Sequence, residues 1–247
     1  MFAALKAEFR KLLTVRSTYF IVGATLLIAM FFAGFVEGFH NDAAGLRAPG
    51  LLASESTSAI LFVGLILAFA GLLLAGHEYR YGTIVYTLTS SNRRYKVYLA
   101  KFLTITTFAV VTALLITFWS PFCTIVGVHL AGKHIGPQTF DVWSLIWRCV
   151  FCGWGYAVYA FILLVALRNQ VGAIVTFLLI PLMGENILAA LLKNNSKYLP
   201  FTALQSVVSP DNIGNHANSG HEALVVLVYV AVGLLVSSML FIRRDAN

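Results

Sequence analysis

The fold is decided by the stretch 57-TSAILFVGLILAFAGLLLAG-76, in which twenty consecutive residues carry no charge. A helix needs about 20 mostly apolar residues to cross the roughly 30 Å of hydrocarbon in a bilayer, because each residue adds about 1.5 Å. Lipid offers no hydrogen-bond partners to backbone N–H and C=O groups, so a single apolar stretch that crosses it has to form these bonds within itself, as a helix. Residues 57–76 are therefore predicted to form a membrane-spanning helix.

Five further apolar stretches of similar length lie on either side of this one. The six predicted spans cover about 17–36, 57–76, 102–126, 143–167, 171–192 and 223–242. The whole chain is 59% hydrophobic and only 11% charged, which excludes a soluble enzyme and a disordered chain. We therefore expect an all-α polytopic membrane protein with six transmembrane helices, forming one domain over residues 1–247.

Basic residues divide unevenly between the two sides of the predicted membrane. Twelve of the 17 Lys and Arg residues fall before the first span, between spans two and three, at Arg168 and after the last span. Only four fall on the opposite side, and Arg148 lies within span four. Positively charged short loops stay cytoplasmic. Both termini are therefore predicted to be cytoplasmic. The net charge of +7 belongs to a surface that faces membrane lipid rather than to a nucleic-acid-binding patch, so no nucleic acid is expected as a partner.

The segment 1–16 before the first span has a helical period. Apolar and basic residues separate on its predicted helix, with Phe2, Leu5, Phe9 and Leu12 on one side and Lys6, Arg10 and Lys11, together with Glu8, on the other. This pattern predicts an amphipathic helix lying on the inner leaflet. Such a helix either contacts a partner or only anchors the first span, and the pattern leaves both roles open.

The segment 77–101 between the second and third spans holds the most informative polar residues. It contains an acid, a Gly-Thr pair, a short apolar run, a Ser/Asn break and a basic helix start. This order predicts two short helices separated by a turn, the second running through Lys101 into span three. We expect this segment to form a rigid cytoplasmic element.

These features resemble the membrane subunits of ATP-binding-cassette (ABC) exporters, in the branch of small six-span permeases that includes bacitracin- and lantibiotic-immunity transporters. The resemblance covers the whole chain in topology, and its motifs are short. The matching positions are the amphipathic start Leu5 to Ser17, then Glu78, Gly82-Thr83, Leu88, Arg93 or Arg94 and Lys101, then Leu199-Pro200-Phe201, and finally Arg243-Arg244-Asp245.

The resemblance implies that two permease subunits form the substrate path while two separate cytoplasmic subunits bind ATP and Mg²⁺ and hydrolyse the nucleotide. It implies a multi-pass protein of a prokaryotic cell membrane that exports an amphipathic substrate such as an antimicrobial peptide, a drug or a lipid. This chain has no GxxxxGK[ST] phosphate-binding loop, so we expect it to bind no cofactor and to be no enzyme itself.

By the same resemblance, segment 77–101 is the coupling segment that docks on the ATPase. Its expected coupling residues are Glu78, Arg80, Gly82, Thr83, Leu88, Arg93, Arg94 and Lys101. The alternative is that its basic residues only obey the positive-inside rule, but that rule requires no Glu, no Gly-Thr pair and no turn.

Glu185 is an acid well inside the fifth predicted span, 171–192. Burying a carboxylate in hydrocarbon costs about 2.5 kcal/mol or more, so an intramembrane acid is a functional candidate. Pro181 and Gly184 predict a broken helix there, and Glu185 and Asn186 become candidates for the transport path. A structural carboxyl that pairs with Arg148 or caps a half-helix remains the alternative.

Two other functional classes compete with an ABC permease. His77-Glu78 begins like a zinc-protease motif, but Tyr81 stands where its second His would be, so a metalloprotease is excluded. An ATP-independent secondary transporter or a channel is the stronger alternative, although such proteins usually carry several polar residues at mid-membrane.

Overall fold

A computed structural model describes residues 2–39, 45–89, 94–209 and 220–243, and its regular elements are all helical. It confirms the prediction of an all-helical protein with six helices long and apolar enough to cross a membrane. These candidate spans, numbered one to six, are Arg16–Phe39, Leu51–Arg80, Arg94–Leu130, Val142–Leu167, Gln170–Leu192 and Gly220–Arg243.

The helices of the spans are labelled in chain order, together with three helices that are too short to cross. Helix α1 (Phe2–Thr14) precedes span one, which consists of α2 (Arg16–Met30) and a π-helical segment (Phe31–Phe39). Span two is α3 (Leu51–Arg80), followed by the short α4 (Ile84–Thr89), and span three is α5 (Arg94–Leu130). Span four is α6 (Val142–Leu167).

Span five is interrupted, and a short helix stands between it and span six. It consists of α7 (Gln170–Leu179), a π-helical turn (Ile180–Gly184) and α8 (Glu185–Leu192). A 3₁₀ segment (Lys193–Tyr198) leads to α9 (Pro200–Val207), and span six is α10 (Gly220–Arg243). The two ends of the bundle are named after the short helices that lie there, the α4 end and the α9 end.

Several helices extend beyond the apolar stretches that predicted them. At the α4 end, residues 77–80 form the last turn of α3, and residues 94–101 already belong to α5, so only the middle of segment 77–101 lies outside the span helices. At the α9 end, Glu37 and Glu55 lie in helices, although both are outside the predicted bounds of spans one and two, 17–36 and 57–76. Hydropathy marks the lipid-crossing part of a helix, but backbone hydrogen bonding continues past it.

Spans two, three and four form the core of the bundle. In their most apolar stretches 59%, 50% and 61% of the residues are buried, against 17%, 11% and 22% in spans one, five and six. Fully buried side chains include Ile60, Ile116 and Leu164, one from each core span. The other three spans lie around this core and expose most of their apolar side chains.

Span one approaches span three through glycines. A Cβ added at Gly127 of α5 would overlap the backbone carbonyl oxygen of Gly34, and one at Gly38 would come within 2.8 Å of the Thr124 carbonyl oxygen. The indole Nε1 of Trp119 also donates to the carbonyl of Leu26, at 3.0 Å. The Gly34-x-x-x-Gly38 pair thus allows the close backbone contact that such motifs provide in membranes.

Candidate functional site

Four charged side chains meet where α1 lies against the ends of spans two and three. Lys101 Nζ lies 2.9 Å from Glu78 Oε2 and 3.3 Å from Glu8 Oε1. Lys11 Nζ lies 2.6 Å from Glu78 Oε1 and 2.9 Å from the same Oε1 of Glu8. Each cation therefore contacts both carboxylates, and we call these four residues the Lys/Glu cluster.

Three helices bring the cluster together. Glu8 and Lys11 are three residues apart in α1 and so lie on one face, while Glu78 belongs to the last turn of α3 and Lys101 to the second turn of α5. Next to them Leu12 is buried in the hydrophobic core and anchors α1 to the bundle. The cluster thus fastens the N-terminal helix to both helices that flank α4.

The cluster is shielded from water to different degrees. The Lys101 side chain is only 3% exposed, and those of Glu78 and Glu8 are 11% and 12% exposed, whereas that of Lys11 is 47% exposed. Burial lowers the pKa of Lys11, but hydrogen bonds to Glu78 and Glu8 and their negative charges outweigh this effect, so its pKa lies above the ordinary 10.5. Lys11 therefore keeps its charge and its ion pairs at physiological pH.

The structure changes the interpretation of the polar side of α1. Glu8 and Lys11 were placed with Lys6 and Arg10, facing away from the apolar stripe. Lys6 and Arg10 are exposed, but Glu8 is half-buried and pairs with Lys101. Leu5 and Phe9 are half-buried, and the Phe2 side chain lies outside the described part of the chain. The helix ends at Thr14 rather than at residue 16, because Val15 is extended.

Beyond the cluster the chain turns sharply and presents an exposed surface. Tyr81 to Thr83 form the turn, and Gly82 has a φ of +67°, which a residue with a side chain rarely adopts. In α4, Ile84 is buried, whereas Val85 and Tyr86 are 40% and 75% exposed. The Gly-Thr pair thus lies in the turn that joins α3 to α4, and α4 buries Ile84 while it exposes Val85 and Tyr86.

The expected coupling residues therefore fall into two groups. Glu78 and Lys101 are buried within the chain, where they hold helices together. Arg80, Gly82 and Thr83 are exposed next to α4, and the Arg80 guanidinium lies 5.6 Å from the ring centre of Tyr81. Arg94 is half-buried, and one of its guanidinium nitrogens donates to the carbonyl of Ile242. The Leu88 side chain and the whole of Arg93 lie outside the described residues.

Glu185 lies at the other end of the molecule and caps α9. Its Oε1 accepts from the Phe201 N–H at 2.7 Å, and its Oε2 accepts from the Thr202 N–H at 2.7 Å and from the Thr202 hydroxyl at 2.9 Å. Arg148 binds the opposite end of α9, where it donates to the Val207 carbonyl at 3.2 Å. Carboxylate and guanidinium thus complement the helix dipole at its two ends.

Asn186 is exposed and makes local contacts. Its amide donates to the carbonyls of Leu182 and Pro181, both in the π-helical turn that precedes it.

Sequence reasoning missed the pairing of Glu8 and the position of Glu55. Glu8 lies three residues before Lys11 and four before Leu12. This helical spacing fits a polar face that contacts other charged residues equally well as a polar face that contacts water. Glu55 follows Leu51 by four residues, and this helical spacing was the available signal that α3 begins before residue 57.

Comparison with known proteins places the chain in a family. The model of the family described as ABC-2 family transporter protein matches residues 4–184, about three quarters of the chain, and includes α1, the Lys/Glu cluster and α4. No curated protein matches the chain.

Proposed function

Because the chain belongs to the ABC-2 family of transporter proteins, we propose that it is a permease subunit in which the Lys/Glu cluster couples α4 to the membrane helices. Membership of the family supports a multi-pass membrane component, and it implies in general an ABC ATPase subunit as partner. The coupling role is our inference from the cluster's geometry.

The observation that carries the proposal is a set of four ion pairs at the point where α1 meets the ends of spans two and three. Two of the pairs join α1 to a span, one joins the two spans, and one lies within α1. The two pairs of Lys101 are buried, and the attraction between buried charges is screened less than that between exposed ones. A displacement of α4 is therefore passed to α1, α3 and α5 together. Spans two and three belong to the core, so the motion reaches the centre of the bundle.

The ATPase contact in this proposal is the exposed surface formed by Arg80, Tyr81, Thr83, Val85 and Tyr86. Tyr81 is 65% and Tyr86 75% exposed, and two tyrosines on a projecting helix–turn element offer the rigid aromatic contacts that dominate many protein interfaces. Glu78 and Lys101 act behind this surface by positioning it. Arg93, which lies outside the described residues, remains a proposed ion-pairing residue.

The complete transporter in this proposal has two permease subunits, identical or related, and two ATPase subunits that bind ATP and Mg²⁺. It resides in the cell membrane with both termini of this chain in the cytoplasm, and it exports an amphipathic substrate such as an antimicrobial peptide, a drug or a lipid. The family match supports the transport role, and the excess of basic residues at the α4 end supports the orientation.

Copurification with measurement of ATP hydrolysis tests the proposal. The tagged full-length chain, expressed in its source cells and purified in mild detergent, is expected to carry an ATPase activity that Tyr86→Ala strongly reduces. Tyr198→Ala is the matched control, because Tyr198 is 44% exposed at the α9 end. Purified wild-type protein without a nucleotide-hydrolysing subunit, or equal activity with both variants, would contradict the proposal.

A further inference from the structure

A cavity of about 210 Å³ lies between spans one and two at the α9 end. Its wall is mostly apolar and includes Ile28, Phe32, Phe62 and Val63, and two acidic residues, Glu37 and Glu55, also line it. Glu55 and Glu78 are 23 residues apart in one helix, so the cavity lies about 35 Å along the axis from the Lys/Glu cluster. The coupling machinery at the α4 end therefore makes no use of it.

Glu55 is buried without a balancing charge. The residue is only 8% exposed, and its backbone carbonyl accepts from the Ser120 hydroxyl at 3.2 Å, which fixes α3 at this point. Within the described ranges, its carboxylate has no hydrogen-bond donor and no cation, and the charged neighbour that acts on it is the carboxylate of Glu37. A buried carboxyl is unfavourable in its charged form unless a positive charge or a hydrogen-bond donor joins it.

The walls favour an organic cation over a metal ion. Calcium takes six to eight oxygen ligands and magnesium an octahedron of them, usually with several carboxylates, whereas Glu37 and Glu55 are the two acids of this wall. The described part of the chain has no group of three or more His, Cys, Asp or Glu side chains that could hold a metal ion. The rings of Phe32 and Phe62 stack with centroids 5.6 Å apart, and these residues are 49% and 63% exposed at the side of the bundle. A molecule dissolved in the bilayer can therefore reach the cavity beside these rings.

We propose that this cavity binds the protonated amino group of an amphipathic molecule, with the ammonium between Glu55 and Glu37 and the apolar part against Phe32 and Phe62. The two carboxylates supply the charge-assisted hydrogen bonds that a primary ammonium requires. The aromatic faces add attraction for a cation that is shielded from water. Binding requires only this chain, so it can be measured without ATP or an ATPase.

Equilibrium binding of tritiated phenethylamine to the full-length chain in lipid nanodiscs tests the proposal. Saturable binding is expected, and Glu55→Gln should weaken it by about tenfold or more, because it removes a charged hydrogen-bond partner. Glu37→Gln should weaken it as well. Asp141→Asn is the matched control, since Asp141 is an exposed acid at the same end that caps α6 through the Trp143 N–H, a role that Asn also fills.

Unlabelled phenethyl alcohol, which has the same ring and no charge, should compete poorly. Equal competition by the alcohol, unchanged affinity in Glu55→Gln, or displacement by NaCl but not by KCl would overturn the proposal. If Glu55→Gln fails to fold, binding to Ala59→Leu is measured instead, because this substitution narrows the cavity and leaves both carboxylates in place. That variant should lose binding, and retained affinity would overturn the proposal equally.

Discussion

Lys101 is the most deeply buried cation of the Lys/Glu cluster. Removing one partner of a buried ion pair costs about 3–5 kcal/mol, because a charge is left buried without compensation, whereas an exposed pair contributes about 0–1 kcal/mol. Lys101→Met should therefore lower the free energy of unfolding by about 3 kcal/mol, and Lys11→Met by about 1 kcal/mol or less. Chemical denaturation in detergent, followed by tryptophan fluorescence, measures both changes.

The exposed Lys6 provides the control for this comparison. Lys6→Met removes a cation from α1, the helix of Lys11, at a position away from the cluster. Its effect should be close to zero. Equal losses in Lys101→Met and Lys6→Met would show that the buried pairs contribute nothing to stability.

The sequence identified some residues of this cluster and missed their arrangement. Family resemblance singled out Glu78 and Lys101, and helical periodicity placed Lys11 in α1. Glu8 and Lys101 are 93 residues apart, however, and their contact depends on how α1 folds back against α5. Periodicity gives the face of a helix on which a residue lies, but not what that face packs against.

Among the elements, α9 depends most clearly on side chains outside itself. A helix of eight residues is not stable alone in water, and α9 is held by Glu185 at its start and Arg148 at its end. Glu185→Ala should lower the free energy of unfolding by about 2–3 kcal/mol because two backbone N–H groups lose their acceptors. Glu185→Gln should cost about 1 kcal/mol, because it keeps one acceptor oxygen and loses the charge.

Asn186→Ala is the neighbouring control and should change stability little, because Asn186 is exposed and its amide donates to the preceding turn of the same span. The same variants separate capping from transport. Normal export by Glu185→Gln at normal expression would dismiss the predicted role of Glu185 in the substrate path, and a loss of export without a loss of stability would support that role.

The glycine contact between spans one and three determines how closely these two elements pack. Any Cβ at position 127 would overlap the Gly34 carbonyl, so Gly127→Ala must push the two backbones apart. We expect a loss of about 1–3 kcal/mol, typical of overpacking. Gly23→Ala is a matched control in the same span as Gly34, because a Cβ there meets nothing within 4 Å. Thermal unfolding of both variants measures the difference, and equal melting temperatures would contradict the close contact.

Across the whole molecule, hydropathy predicted how many helices cross the membrane but not how they are layered. All six stretches are apolar because lipid requires it, whether their neighbours are lipid or protein. Spans two and six are almost equally apolar, with mean hydropathies of 2.6 and 2.7 in their most apolar stretches. Yet 59% of that stretch is buried in span two and only 22% in span six. Small residues such as Gly34 and Gly127 mark close packing, but only three-dimensional contacts assign spans two, three and four to the core.

The orientation of the whole bundle is the prediction on which ATPase coupling depends. Thr83 is exposed in the turn before α4, and His134 is exposed in the segment that joins α5 to α6 at the α9 end. The native Cys123, Cys149 and Cys152 are all buried, so a single added cysteine can be labelled against a low background. A membrane-impermeant maleimide should label His134→Cys on intact cells and Thr83→Cys only after permeabilisation. The reverse pattern would place α4 outside the cell, where no ATP-hydrolysing partner could dock on it.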